Sequence, residues 1–446
     1  MQHSNEFERG HIRIGFVSTR FGGNDGVSLE TRKWVEVLER HGHSCFFMAG
    51  ECDWPAERSH VVDLAHFEHP EILSITQTGF SAHRRSRDLT SRIHQIKELL
   101  KNELYAFTQR FEIDLLLVEN ALAIPMNLPL GVALTEFIAE TGYPTVAHHH
   151  DFFWERKRFL ANCVWDFLNM AFPPHLPTIH HVVINSSGSN QLSLRTGISS
   201  TLIPNVMDFA NPPQPTDAYT KQLKGDMGVD EGEYFFLQPT RVVPRKGIEH
   251  AIELIRELGE PAHLVVSHAS GDEGDDYEQR LKRFASMMGV PVSFVANRIQ
   301  EHRGQLPDGR KIYTLWDVYP HADLVTYPST IEGFGNAFLE AIYFRKPLLV
   351  NNYSIFAYDI KPKGFNVIEF DGYITPETTE RVCEVLENTN LMDEMTEQNY
   401  QLARRYYSYE VLDRQLEALL SQAFGENAYE WWETNLGKDR TMDKLG

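Results

Sequence analysis

Two glutamates eight residues apart, Glu332 and Glu340, stand in the stretch PSTIEGFGNAFLEA, and Gly333, Gly335 and the small Asn336 lie between them. An ionised carboxylate only accepts hydrogen bonds, so it suits pairs of sugar hydroxyls. Glycine costs conformational entropy, and two in so short a span imply a backbone that something approaches closely. DLVTYP before the stretch reads as a strand and NAFLEAIYFR after it as a helix. Strand, glycine turn and helix together point unpaired N–H groups and the positive end of a helix dipole at an anion such as a phosphate. A glycine turn with two solvated glutamates is the alternative.

Other residues fit the same chemistry. Arg241 follows the strand-like EYFFLQPT, and Lys246 stands directly before a helix starting near Gly247, with Arg245 as a close rival. Two cations beside a helix N-terminus suit a diphosphate leaving group whose charge grows as a glycosidic bond breaks. STRFGGNDGVSLE places Gly22, Gly23 and Gly26 between the first strand and the first helix. It is not GxGxxG, and no acidic residue ends the second strand to take a ribose, which argues against a nicotinamide oxidoreductase.

YPTVAHHHDFFWERKRF puts His148, His149, His150 and Asp151 at a strand end. Neighbours in an extended chain point to opposite faces, so at most His148 and His150 face together. Zinc asks for three or four ligands, and no other Cys or His cluster has suitable spacing, so no metal site is expected. A packed histidine without a catalytic role is the alternative. Arg84, Arg85 and Arg87, and Arg156, Lys157 and Arg158, form two basic clusters. They suit an anionic small molecule, or equally a solvated helix face.

Elements that position these residues alternate along the chain. HIRIGFVST, HSCFFMAG, VVDLA, DLLLVEN, YPTVAHHH, HHVVINS and STLIPN read as strands separated by amphipathic helices such as SRIHQIKELLKNELYAFTQRF. A second series starts near residue 232, with EYFFLQPT, AHLVVSH, PVSFVA, DLVTYP and KPLLVNN. GIEHAIELIRELG, DDYEQRLKRFASMMG and YTLWDVYPHA are helical segments between them. The pattern predicts an α/β chain of two doubly wound parallel sheets, joined by the proline-bearing NVMDFANPPQPTDAYTKQ. Open sheets of this kind bind ligands beyond the carboxyl ends of their strands, so the cleft between the domains is the expected site.

Composition narrows the function. A length of 446 residues fits two domains. The net charge of −20 argues against nucleic acid as the partner. Cys45, Cys52, Cys163 and Cys383 show no CxxC spacing, as in a reduced cytoplasmic protein. The N-terminal MQHSNEFERGHIRIGFVSTR lacks the apolar core of a secretory signal, and no run reaches the ~20 apolar residues of a membrane span.

The segments ADLVTYPS…EGFGNAFLEA, QPTRVVPRKGIEHAIE and IPNVMDF resemble, in order, the E-x7-E signature, the phosphate-binding Arg and Lys segment and the interdomain hinge of retaining glycosyltransferase family 4, whose architecture is GT-B. The resemblance implies an enzyme with two Rossmann-like domains. An acceptor-binding domain would span 1–205 and a donor-binding domain 206–408, with a tail, 409–446, returning to the first. It assigns Arg241 and Lys246 to the nucleotide diphosphate, Glu340 to the ribose, and Glu332 and His150 to the sugar. Backbone N–H groups of Gly333, Phe334, Gly335 and Asn336 would face sugar and phosphate, and Gly22, Gly23 and Gly26 would let backbone approach donor and acceptor. No cofactor is obligatory, the nucleotide sugar is a substrate, and stimulation by Mg2+ is left open. The N-terminal stretch also resembles enzymes that build small osmolyte glycosides, whose acids the basic clusters would suit. A sugar phosphorylase of the same fold, or a two-lobed sugar-binding protein, are the rival readings. Two departures stand out: Lys346 where a glycine usually follows the signature helix, and Val206 in the hinge.

Overall fold

The computed structural model describes residues 11–23, 25–270 and 274–424. The chain divides into two compact units: residues up to Pro204 together with those from Glu410 on, and Asn205–Tyr409. The Trp431–Trp432 pair of the tail lies outside the described residues.

Unit 1 is built on seven parallel strands: β1 (Arg13–Val17), β2 (Ser44–Ala49), β3 (Ser59–Val61), β4 (Leu115–Glu119), β5 (Thr145–His149), β6 (Ile179–Val183) and β7 (Thr201–Leu202). Their order is β3-β2-β1-β4-β5-β6-β7, so the winding reverses between β1 and β4. β4 and β5 are buried along their whole length, which is why they read as continuous apolar runs. Asp25 caps the helix Gly26–Arg40, accepting from Val27 and Ser28 N–H at 3.0 and 3.1 Å. The helix Arg87–Arg110, capped by Ser86, packs on Leu128–Thr141, and Lys97 and Lys101 reach across it to Glu136 at 2.7 and 3.1 Å.

The strand expected at VVDLA lies earlier, as β3, and reaches only the first residue of that stretch. Pairing stops at Val61, and Asp63–Ala65 forms a 3-10 turn. Asn127 donates to the carbonyls of Leu64 and Ala65 at 2.9 and 3.0 Å, which takes both away from any ladder.

Unit 2 carries β8 (Tyr234–Gln238), β9 (Ala262–Val266), β10 (Val292–Phe294), a small antiparallel pair, β11 (Gly304–Gln305) and β12 (Lys311–Ile312), and then β13 (Leu324–Tyr327), β14 (Leu348–Asn351) and β15 (Ile368–Phe370). The main sheet is parallel, in the order β10-β9-β8-β13-β14-β15, and reverses between β8 and β13. YTLWDVYPHA, expected as one helix, is a single turn, Leu315–Val318, followed by a 3-10 turn, Tyr319–His321, because Pro320 lacks the N–H that a longer helix needs. The start of the proline-bearing segment is pinned: Met207 N–H reaches Tyr407 O at 2.9 Å, and buried Phe209 packs edge-on against Tyr343 and Tyr400. No helix among the described residues is long and apolar enough to cross a membrane.

Candidate active site

The topology of unit 2 brings two separate segments together. Arg241–Gly247 follows β8 and Pro328–Gly335 follows β13, and these are the strands that flank the reversal point. Lys246 donates to Glu332 in a close ion pair, and Arg245 reaches the other carboxylate oxygen at 3.2 Å. Burial by itself would raise the Glu332 carboxyl, but Lys246 and Arg245 hold it below the usual range, so it is ionised. Arg241 is exposed and near enough to act electrostatically on Lys246 and on His268. Three cations, Arg241, Arg245 and Lys246, against the one carboxylate of Glu332 leave a balance of two positive charges where a diphosphate would sit. The rivalry of Arg245 and Lys246 for one role ends with both on Glu332, Lys246 being the more buried.

Glycine is required at two points here. Gly335, at φ 115°, precedes the helix Asn336–Tyr343, and a Cβ there would lie 2.5 Å from the Tyr327 hydroxyl. Gly247, at φ 60°, starts the helix Ile248–Leu258, and its Cβ would meet Pro328 O at 2.5 Å. Phe334 points its ring into the core against Tyr407 and gives its carbonyl to Tyr353 at 2.8 Å, which leaves only backbone for a ligand. Asn336 accepts from Asn205 at 2.7 Å, and Glu340 accepts from Tyr319 at 2.7 Å.

Sequence reasoning passed over His268, which follows β9. It is bonded to Ser267 at 2.8 Å and, through burial and the nearby Lys246 and Arg241, is pushed down to about 4. A neutral imidazole therefore lines the same end of the sheet. Its place after a strand in AHLVVSH was the available signal.

In unit 1 the alternation of side chains along β5 holds. His148 and His150 turn to one side, while His149 turns to the other and bonds His181 at 2.9 Å. On their side both meet Glu119, the last residue of β4 and fully buried: His148 Nδ1 lies 3.0 Å and His150 Nε2 3.1 Å from its carboxylate. Sequence reasoning read Glu119 as the end of an apolar run. The three groups lie within 4.8 Å of one another, a spacing that a divalent cation would also accept. Asn120, at φ 59°, accepts from His150 N–H at 3.0 Å and donates to Asp151 at 3.1 Å, and Asp151 is paired with Arg156.

Of the glycine loop, Gly23, at φ 72°, donates its N–H to Asp53 at 2.9 Å, Gly22 faces the same carboxylate, and Gly26 opens the helix where a Cβ would meet open space. Part of the basic clusters is used internally: Arg85 makes a bidentate pair with Asp166, both contacts at 2.6 Å. Arg87 is exposed, has no ion pair among the described residues, and lines a cavity of about 490 Å³ with His83, Ser86 and Trp165.

Residues 220–402 match the family described as Glycosyl transferases group 1. The chain is 29% identical over 438 residues to mannosylglucosylglycerate synthase of Thermotoga maritima, covering 90% of this chain and 98% of that one. It is also 29% identical over 388 residues to mannosylglucosylglycerate synthase of Petrotoga mobilis, covering 80% and 86%. Among solved structures, Anabaena HepE in complex with UDP-glucose superposes with a TM-score of 0.64 at 14% identity, over 92% of this chain and all of that one. A glycosyltransferase from Rickettsia africae superposes with a TM-score of 0.66 at 12% identity, over 94% of this chain and all of that one.

Proposed function

We propose, from the premise that this chain is a glycosyltransferase of the GT-B fold with a group 1 glycosyltransferase domain, that it moves a hexose from a nucleotide diphosphate sugar to a hydroxyl of a small anionic glycoside, with retention at the anomeric carbon. The observation that carries the donor half is the pairing of Arg245 and Lys246 with Glu332, with Arg241 near Lys246, at the reversal point of the second sheet. Those cations neutralise the diphosphate as it departs, where each donor is most valuable because charge develops there. Glu340, oriented by Tyr319, accepts from the ribose hydroxyls. Glu332 and His150 meet the transferred sugar, and the turn N–H groups from Gly333 to Asn336 face sugar and phosphate. This chemistry requires no metal, because the basic residues supply the positive charge.

The acceptor half rests on two supports. Relatives at 29% identity are mannosylglucosylglycerate synthases, whose name describes a sugar acid glycoside. Arg87, exposed beside Trp165, presents a cation and an aromatic platform, the pair that suits an anionic sugar. The reading places the reaction in the cytoplasm, where nucleotide sugars are made.

The test is to offer GDP-mannose, UDP-glucose and ADP-glucose, each with glucosylglycerate, and to follow nucleotide diphosphate release and the anomeric signals of the first product by NMR. One donor should turn over with retention. Product formation only with free phosphate would instead identify a phosphorylase.

A further inference from the structure

We propose that Glu119 is the positioning residue for His150: a buried carboxylate that fixes the ring through Nε2, leaves Nδ1 for the ligand, and favours the protonated ring. The proposal rests on the reading that His150 meets the transferred sugar.

The geometry supplies the argument. Glu119 is fully buried, and an ionised carboxylate has only acceptors, so each ring nitrogen facing it carries a proton. His148 therefore donates from Nδ1 at 3.0 Å and His150 from Nε2 at 3.1 Å. The other nitrogen of His148, Nε2, is buried and has no hydrogen-bond partner among the described residues. A proton there would be an unsatisfied charged donor, so His148 is neutral. Its ring is held by stacking on Trp34, with centroids 4.3 Å apart and planes at 25°. The charge that compensates Glu119 then belongs to His150, whose backbone N–H is fixed by Asn120 at 3.0 Å.

The charged surroundings agree. His150 is faced by Glu119 from β4, by His148 and Asp151 from its own segment, and by Glu30 from the helix Gly26–Arg40. Asp151 is paired with Arg156, and Glu30 with Lys33 at 2.8 Å, which leaves Glu119 as the carboxylate without a fixed cation other than His150. Burial pulls the His150 ring down, yet Glu119 brings it above the ordinary histidine value, while burial keeps His148 below it. Glu119 itself, against the cost of burial, is held down to about 2 by the two histidines. An imidazolium anchored in this way presents a fixed Nδ1–H donor to a sugar hydroxyl or a phosphate oxygen and spends no ordering entropy at the moment of reaction.

Glu119→Gln keeps the size and removes the charge. We expect the His150 ring to titrate at least about one pH unit lower by 1H–15N NMR of the substrate-free protein. With the donor sugar that turns over, kcat should fall about tenfold or more, its alkaline limb should move to lower pH, and KM for the donor should stay within about threefold. Glu119→Asp, should the first variant not fold, ought to show a smaller displacement in the same direction. Trp34→Phe, which keeps the stacking, should leave the His150 titration unmoved. An unchanged His150 titration in Glu119→Gln and Glu119→Asp overturns the proposal. So does stoichiometric zinc in the purified protein that is lost with Glu119→Gln, which would make the trio a metal site. A lowered titration in Glu119→Gln, when the wild type uses none of the donors, sustains the positioning role and removes the transferase reading of His150.

Discussion

Lys246 gives its ammonium to the carboxylate of Glu332, and the two side chains are only 11% and 9% exposed. The pair joins the segment after β8 to the segment after β13, so it fixes both walls of the proposed phosphate site at once. Lys246→Met leaves the buried carboxylate with Arg245 alone, at 3.2 Å, and should cost about 3 kcal/mol in urea unfolding. Lys246→Met combined with Glu332→Leu removes that charge and should recover most of that loss without recovering activity. Recovery of both would mean that the pair only holds the fold.

The turn before the signature helix is expected to accept only glycine at 335. Gly335→Ala adds a Cβ at a φ of 115° and within 2.5 Å of the Tyr327 hydroxyl. The change should destabilise the protein by about 2–4 kcal/mol and abolish nucleotide binding. Thermal unfolding and calorimetric titration check it, and Tyr327→Phe should cost less than half as much.

How much of this was readable beforehand differs by residue. The strand, turn and helix around Glu332 and Glu340 were legible because glycine and small residues mark close backbone approach within one short segment. The meeting of Lys246 with Glu332 was not, since residues 86 apart in sequence come together only through the strand order β8-β13. Glu119 was hidden for another reason. A buried carboxylate ending an apolar strand looks like the boundary of a run until His148 of β5 comes into register with it, with His150 just past the strand end. Arg84, Arg85 and Arg87 read as one cluster, but Arg85 is consumed by Asp166, 81 residues away, and Arg87 is not.

Lys346, which stands where a glycine usually follows the helix, carries a pH signature. The left-handed residue is its neighbour Arg345, at φ 50°, whose side chain pairs with Glu397 at 2.8 Å and lies 3.6 Å over Tyr400. Lys346 donates to Pro320 O at 2.7 Å, and burial pushes it down to about 8. Its folded value lies below the unfolded one, near 10.4, so the unfolded state binds more protons between these values and stability rises with pH across that window. The cost of the buried charge is present in full below about pH 8. Lys346→Met should therefore be more favourable at pH 7 than at pH 10 by about 2–3 kcal/mol. Urea midpoints at the two pH values decide it.

Arg87 should act on the acceptor alone. Arg87→Ala is expected to raise KM for an acidic acceptor about tenfold, with little change in kcat or in KM for the donor. A neutral analogue lacking the acid should show no difference between wild type and variant. Equal losses on both acceptors would remove Arg87 from acid recognition.

The central claim, that unit 2 holds a nucleotide diphosphate, is tested most directly by calorimetric titration of UDP, GDP and ADP into wild type and Glu340→Ala. The account predicts micromolar binding of one nucleotide to the wild type. It predicts a loss of about tenfold or more in Glu340→Ala, from two missing ribose hydrogen bonds. Absence of binding by all three, or equal affinity in wild type and variant, would contradict it.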